Sequence, residues 1–155
     1  MEAPLAEIQH IPGHLIRRLN QIAVAVFTDH VAEAGLELTP VQFAVLSTLS
    51  ETQGLGQAAL AGAVAHDKVT IGGVLDRMEQ KGLVSRRISP RDRRAREISL
   101  TPEGAALLAR AKPVIHALQE DILAGLDPAE RETFLALLQK ATEAGNALSR
   151  APLKL

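Results

Sequence analysis

Arg86, Arg87, Arg91, Arg93, Arg94 and Arg96 fall within the eleven residues RRISPRDRRAR, where Asp92 is the single acid. Guanidinium groups stay charged at physiological pH and present forked donors that match phosphate oxygens, so the chemistry this stretch can do is contact with a polyanion. The whole chain carries 17 Lys plus Arg against 18 Asp plus Glu, a formal net charge of −1. Setting aside Arg86 to Arg96, with its six basic residues and one acid, leaves 11 basic against 17 acidic residues elsewhere. Segregated charge of this kind implies one polyanion-contacting surface on a protein otherwise kept off polyanions. The alternative is a solvated charged hairpin that contacts nothing, but like charges this dense repel one another without a counter-charge.

Other chemistries find little footing. The chain has no cysteine, which removes disulfides, thiolate nucleophiles, thiol redox sensing and Cys-ligated zinc. His10, His14, His30, His66 and His116 are scattered and form no compact ligand set, so a metal-responsive protein is only an alternative reading. There is no GxSxG, phosphate loop or paired-carboxylate spacing, so an enzyme is not expected, and neither is a cofactor. Three Phe with no Tyr or Trp provide few platforms for stacking single-stranded or RNA bases. The opening MEAPLAEIQHIPGH lacks the pattern of a signal peptide and no apolar run approaches a membrane span, so a cytoplasmic location without membrane contact is expected.

Positioning the arginines requires elements, and helix punctuation supplies them. Thr39-Pro40, Thr101-Pro102 and Asp127-Pro128 each pair a capping side chain with a proline at the first helical position. Gln42 and Glu130, three residues after their caps, complete two capping boxes. A further helix is predicted from near Pro12 to Gly35, with Leu15, Leu19, Ile22 and Val26 on a broad apolar face. Between Thr39 and Gly82 the pattern gives three helices, PVQFAVLSTLS, GQAALAGAVA and DKVTIGGVLDRMEQKG, with a tight join at Ala65-His66-Asp67 and Asp67 as cap. The last two form a helix-turn-helix pattern. LVSRRIS and REISLT then alternate around PRDRRA, which predicts a hairpin with the arginines at its tip. After Thr101 the chain returns to helix, kinked or interrupted at Pro113, followed by PAERETFLALLQKATEAGNALS. The fold class is therefore mainly α with a small β-hairpin wing: an N-terminal helix in 1–35, a winged helix-turn-helix lobe in 36–101 and C-terminal helices in 102–155.

A helix-turn-helix followed by an arginine-tipped hairpin gives the charge a mechanism. The helix from Asp67 can enter a major groove while the hairpin reaches the neighbouring minor groove, whose narrow A·T tracts attract arginine. Residues 36 to 104 resemble the MarR family of bacterial transcription regulators, through LTPVQFAVLSTL, GLGQAALAGAV, DRMEQKGLVSRR and above all SPRDRRAREISLTPEG. The resemblance implies a homodimer in which the N-terminal and C-terminal helices interlock and carry two winged lobes to a pseudopalindromic operator in double-stranded DNA. It implies that Asp92 braces Arg94 and that Arg94 enters the minor groove, with Arg86, Arg87, Arg91, Arg93 and Arg96 as further contacts to phosphate or groove. Those facing the core side of the hairpin would instead pair with local acids.

In the helix from Asp67, the family commonly places polar residues where this chain has Val69, Gly72 and Gly73. Glycine inside a helix costs about 1 kcal/mol relative to alanine, so Gly72 and Gly73 serve either close backbone approach to DNA or tight packing against another helix. Base contact then falls to Lys68 and Thr70, with His66 and Asp76 as further candidates and Arg77 as a partner for a nearby acid. The resemblance also implies a small ligand, often an anionic aromatic compound, held between the dimer helices and the lobe. His14 and Arg18 stand at i, i+4 on the first helix, with Arg17 beside them and His10 upstream. An imidazole and an arginine can together hold a carboxylate, with Phe43 as aromatic wall and Ser47 as polar tip. The alternative is that His14 and Arg18 make dimer or solvent contacts and Phe43 is core. HLIRRLNQIAVAVF also resembles family members controlling degradation of aromatic or heteroaromatic acids, nicotinate derivatives or aromatic acyl-CoA esters. The function expected is a ligand-responsive repressor that leaves its operator on binding such a compound; the rival is a winged-helix scaffold without ligand control.

Overall fold

A computed structural model describes residues 7–155, so the first six residues of the N-terminal segment lie outside it. A single 3-10 turn, Glu7–His10, precedes α1 (Pro12–Glu33), which ends where Gly35 takes a positive φ of 70°. Helix α2 (Pro40–Glu51) opens with the expected capping box. The Thr39 hydroxyl accepts from the Gln42 amide at 3.2 Å, and the Gln42 side chain accepts from the Thr39 amide at 3.1 Å. Helices α3 (Gln57–Ala63) and α4 (Lys68–Gln80) form the helix-turn-helix pair. The turn between them puts Ala65 at φ 53°, a left-handed conformation for a non-glycine residue, fixed by the Ala65 and His66 amides donating to the Gly62 and Ala61 carbonyls.

Strands β2 (Val84–Ile88) and β3 (Arg96–Leu100) pair antiparallel in the register Val84 to Leu100 and Ile88 to Arg96, which makes the wing. Sequence alternation revealed two strands, whereas the sheet has three. The earlier strand, β1 (Leu55–Gly56), pairs with β3 in the order β1-β3-β2. Two residues ending in glycine carry no alternation to detect. Gln53 reinforces this edge by accepting from the Leu100 amide at 2.9 Å.

Helix α5 (Pro102–Ile122) runs through Pro113 as one continuous helix, so of the two outcomes expected there, kink or interruption, the interruption is set aside. Proline removes one ladder donor, and Pro113 lies on the exposed side of a helix whose opposite side buries Leu108, Ala111, Ile115 and Leu118. Packing of that face outweighs the lost bond. The start of α5 is tied to the base of the wing. Thr101 Oγ1 donates to the Gly82 carbonyl at 2.6 Å and accepts from the Gly104 amide at 3.0 Å, while a Cβ on Gly104 would lie 2.1 Å from the Leu83 carbonyl oxygen. Only glycine fits that approach.

The core is centred on the lobe, where Val45, Leu46 and Leu49 of α2, Leu60 of α3 and Ile71, Leu75 and Met78 of α4 have no exposure, and it extends to Phe27 and Val31 of α1 and to the buried side of α5. The outer faces of the helical region are open. Helix α6 (Pro128–Gly145), started by the Asp127–Glu130 capping box, buries no residue in the single chain. Leu135, Leu137 and Leu138 on α6, with Leu15, Ile16 and Ile22 on α1, are exposed by 40–63%. Among the described residues no helix is long and apolar enough to cross a membrane.

Helices α1 and α5 are also joined by a titratable pair. His30 Nδ1 lies 2.9 Å from the Val26 carbonyl oxygen and Nε2 lies 2.7 Å from Asp121 Oδ2, so both ring nitrogens face acceptors. The Val26 carbonyl first, then the Asp121 carboxylate, hold the imidazole above its ordinary pKa of 6.5. A raised folded-state pKa stabilises the fold below the unfolded value and loses that contribution as pH rises through the folded one. The melting-temperature advantage of the native chain over an Asp121→Asn variant should therefore be larger at about pH 5.5 than at about pH 8.5. Thermal denaturation at the two pH values measures this; equal advantages at both would remove the charged pair from the account.

Candidate nucleic-acid interface

The wing tip is built by short-range bonds. Ser89, buried at the end of β2, exchanges with the other strand through its amide, which donates to the Ala95 carbonyl at 2.9 Å. Its hydroxyl donates to Glu97 Oε1 at 2.9 Å and accepts from the Arg91 amide at 3.2 Å. Asp92 then shapes the turn: its Oδ1 accepts from the Arg94 amide at 2.9 Å, and its carbonyl accepts from the Ala95 amide at 3.0 Å. Asp92 thus contacts the backbone amide of Arg94 rather than its guanidinium. Arg87, Arg91, Arg93, Arg94 and Arg96 are all exposed.

Arg86 stands apart and corrects its inclusion among the outward arginines. Only 17% of its side chain is exposed; Nη1 donates to Asp76 Oδ1 at 2.8 Å and Nη2 to the Gly72 carbonyl at 3.3 Å. It clamps β2 to α4. Arg77, expected to partner a nearby acid, is exposed and makes no ion pair among the described residues, while neighbouring Asp76 is paired with Arg86.

Helix α4 starts at Asp67, whose Oδ1 accepts from the Thr70 amide at 2.8 Å and whose Oδ2 accepts from the Thr70 hydroxyl at 2.6 Å. The hydroxyl first, then the amide, hold the Asp67 carboxyl below its ordinary range. This engages Thr70, one of the two residues assigned to base contact. Lys68, the other, is exposed beside the notch between helices and wing, a recess of about 460 Å³ lined by Gln57, Lys68, Arg86, Arg94 and Arg96 among others. His66 is half-buried in the turn.

The two glycines separate. A Cβ on Gly72 would meet Gln57 Nε2 at 3.0 Å, and that amide is occupied in donating to the Lys68 carbonyl at 3.1 Å. Gly72 accordingly packs against α3. A Cβ on Gly73 would meet nothing within 4 Å. With Ile71, Val74, Leu75 and Met78 turned to the core, helical spacing of about 100° per residue puts Val69, Gly73, Asp76 and Gln80 on the opposite face. Val69, seen from sequence only as a departure from pattern, is 86% exposed there. Its exposure is a tertiary fact, although counting from the buried positions could have found it.

The residues proposed to hold a ligand are partly dispersed. His14 Nδ1 lies 3.3 Å from an Arg17 Nη2, whereas Arg18 Nη1 donates to Gln9 Oε1 at 3.1 Å. His10 is exposed in the turn before α1; Phe43 and Ser47 are half-buried on α2, with Phe43 against the core. A separate apolar cleft of about 550 Å³ runs between α1, α5 and α6, lined by Leu15, Leu19, Ile122, Phe134 and Leu138 with Asn20 and Gln119 as polar tips. None of the six proposed ligand residues lines it. Among the described residues, no group of three His, Asp or Glu side chains gathers where a metal could sit.

A helix-turn-helix with an exposed outward face, followed by a three-stranded sheet with an arginine-tipped hairpin, defines a winged-helix DNA-binding protein. The MarR family model matches residues 38–95. The chain is 35% identical to the transcriptional regulator HosA of Escherichia coli O111:H-, over 84% of this chain and 94% of HosA. It superposes on Bordetella bronchiseptica BpsR, a structure addressing regulation of DNA binding by 6-hydroxynicotinic acid, with a TM-score of 0.81 at 32% identity, covering 90% of this chain and 98% of that one. The transcriptional repressor CouR bound to a 23-mer DNA duplex gives a TM-score of 0.81 at 31% identity, covering 92% and 99%. This chain belongs to the MarR family of transcriptional regulators.

The glycine geometry yields a stability test. Gly73→Ala fills open space inside a helix and should raise stability by about 0.5–1 kcal/mol. Gly72→Ala must displace Gln57 from its bond to the Lys68 carbonyl and should gain less or lose. Denaturant titration of both variants decides it, and a Gly72→Ala chain as stable as Gly73→Ala would show that Gln57 does not constrain the position.

Proposed function

We propose that two copies of this chain grip a pseudopalindromic operator and act as a repressor released by a small anionic aromatic or heteroaromatic acid, or its CoA ester. The observation that carries the DNA contact is the exposed basic tip, Arg91, Arg93 and Arg94, held beside the open face of α4 on a chain that is acidic elsewhere. In this reading Arg94 enters the minor groove with Asp92 shaping its turn. Arg87, Arg91, Arg93 and Arg96 contact phosphate, Lys68 reaches the major-groove side, and Gly73 lets the backbone of α4 come near the bases. Arg86 and Gly72 hold the wing and helix at a fixed distance, and Thr70 stiffens the helix start.

Segments 1–35 and 102–155 act as the dimerisation region. The support is physical: apolar side chains on α1 and α6 exposed by 40–63% in the single chain form a patch that a second copy would cover. Ligand control rests on His14 with Arg17, on Arg18 and His10, and on Phe43 and Ser47, at the junction of the helical region and the lobe. It is supported by similarity to BpsR, whose DNA binding is addressed with 6-hydroxynicotinic acid. Such a ligand acts only by binding the released arrangement more tightly than the DNA-bound one. Control of aromatic-acid or nicotinate-type catabolism, in the cytoplasm, follows as the physiological setting.

Binding of the DNA upstream of the chain's own gene, followed by gel shift, tests the reading. Arg94→Ala should weaken operator binding by about tenfold or more, consistent with loss of one specific groove contact, while weakening random duplex much less. Unchanged operator affinity at moderate salt would remove the minor-groove role. Adding 6-hydroxynicotinate, hydroxybenzoates and aromatic acyl-CoA esters should identify a class that releases the DNA, and release should weaken in Arg18→Ala. If no compound changes binding, ligand control fails and DNA binding stands alone.

A further inference from the structure

We propose that Val69 is a specificity residue that reads the 5-methyl group of a thymine in the major groove of each half-site. The inference rests on the DNA-binding reading above and names a base contact within it. Val69 is 86% exposed, more than any other large apolar residue of the described chain before the C-terminal segment that follows α6. It occupies the second position of α4, in the turn that winged and helix-turn-helix proteins bring to base edges. Valine is a middling helix former, so local helix stability does not account for it there. Nothing in the single chain covers it.

Two of the polar side chains near it are engaged elsewhere, while Lys68 is exposed beside the notch toward the wing. The Thr70 hydroxyl and amide both donate to Asp67, and Asp76, on the same outward face, accepts from Arg86. Gly73, one turn further on, adds no side chain and leaves open space. The centre of the outward face is therefore an isopropyl group beside bare backbone. Among the groups that base pairs present in the major groove, the thymine methyl is the one apolar element. Set against an amino, carbonyl or ring-nitrogen edge, valine would displace water without replacing its hydrogen bonds. Over a thymine it buries one methyl against another and leaves no polar group stranded.

The experiment uses the full chain and a duplex recovered by repeated selection from a random library, resynthesised with deoxyuridine replacing thymine one symmetric pair at a time. Fluorescence anisotropy should find one pair at which the replacement weakens binding by about fourfold per half-site, the effect of one buried methyl. Val69→Ala, at an exposed position where folding is not at risk, should show a similar loss on the thymine duplex and little further loss on the deoxyuridine one. Two results overturn the assignment: no sensitive pair, or a Val69→Ala chain that keeps the full deoxyuridine penalty, which would place the methyl against another residue. If selection recovers no preferred duplex at all, the operator reading itself fails and this contact falls with it.

Discussion

Recognition of a duplex by two elements at once requires that they keep a fixed separation, and in this chain that separation depends on one guanidinium. Arg86 reaches from β2 to Asp76 and to the Gly72 carbonyl on α4, with its side chain mostly out of water. A charge so placed is stabilised only while its partners stay in position. The clamp spends one of the six arginines on geometry. The remaining five keep their charge outward because the short bonds of Ser89 and Asp92, rather than their own side chains, shape the tip. Backbone amides and the Ser89 hydroxyl hold the loop through the Asp92 and Glu97 carboxylates, and the arginine side chains are not used for it.

The same lobe is tied at its other end to the long helix that leaves it. Thr101 spans the Gly82 carbonyl and the Gly104 amide, and the absence of a side chain on Gly104 lets α5 begin against the backbone of Leu83. A displacement of α5 therefore reaches the wing base without a flexible joint between them. Packing makes the lobe itself stiff, since its core residues have no exposure. Any movement that alters DNA binding must then be movement of whole lobes, which is how packed units usually respond to a ligand.

Much of this was legible because it is written locally. Thr39, Thr101 and Asp127 cap their helices as their spacing to Gln42, Pro102 and Glu130 implies, and the alternation around PRDRRA produces the hairpin. What escaped depends on residues far apart in sequence. Nothing local tells Arg86 from Arg87, yet strand alternation sends the first toward Asp76 and the second outward. Gly72 and Gly73 look equivalent until Gln57, fifteen residues earlier on another helix, occupies the space beside one of them. Strand β1 was invisible because two residues have no period, and Pro113 does not interrupt α5 because that helix is held by its buried side. The proposed ligand residues remain the least legible, since they are spread over the turn before α1, α1 and α2, and spacing does not show which of them would share a cavity.

The lobe is joined to the helices beside it through its core, in which Phe27 and Val31 of α1 and Leu108, Ala111, Ile115 and Leu118 of α5 cluster with the buried residues of α2 and α4. Within the lobe, Lys81 donates to Glu37 at 2.6 Å across an exposed surface, an ion pair of little strength in water. At the end of the chain, Asn146 holds both polar backbone groups of Leu153, and the Lys154 amide donates to the Gly62 carbonyl at 2.9 Å, near the turn between α3 and α4. The lobe and the inner faces of α1 and α5 thus share one buried core, while the outer faces of α1 and α6 stay exposed. Under the proposed ligand control, a ligand need not deform the DNA-reading surface to release DNA. It needs to change only the spacing between two intact surfaces, and for that a modest difference in its affinity for the two arrangements is enough.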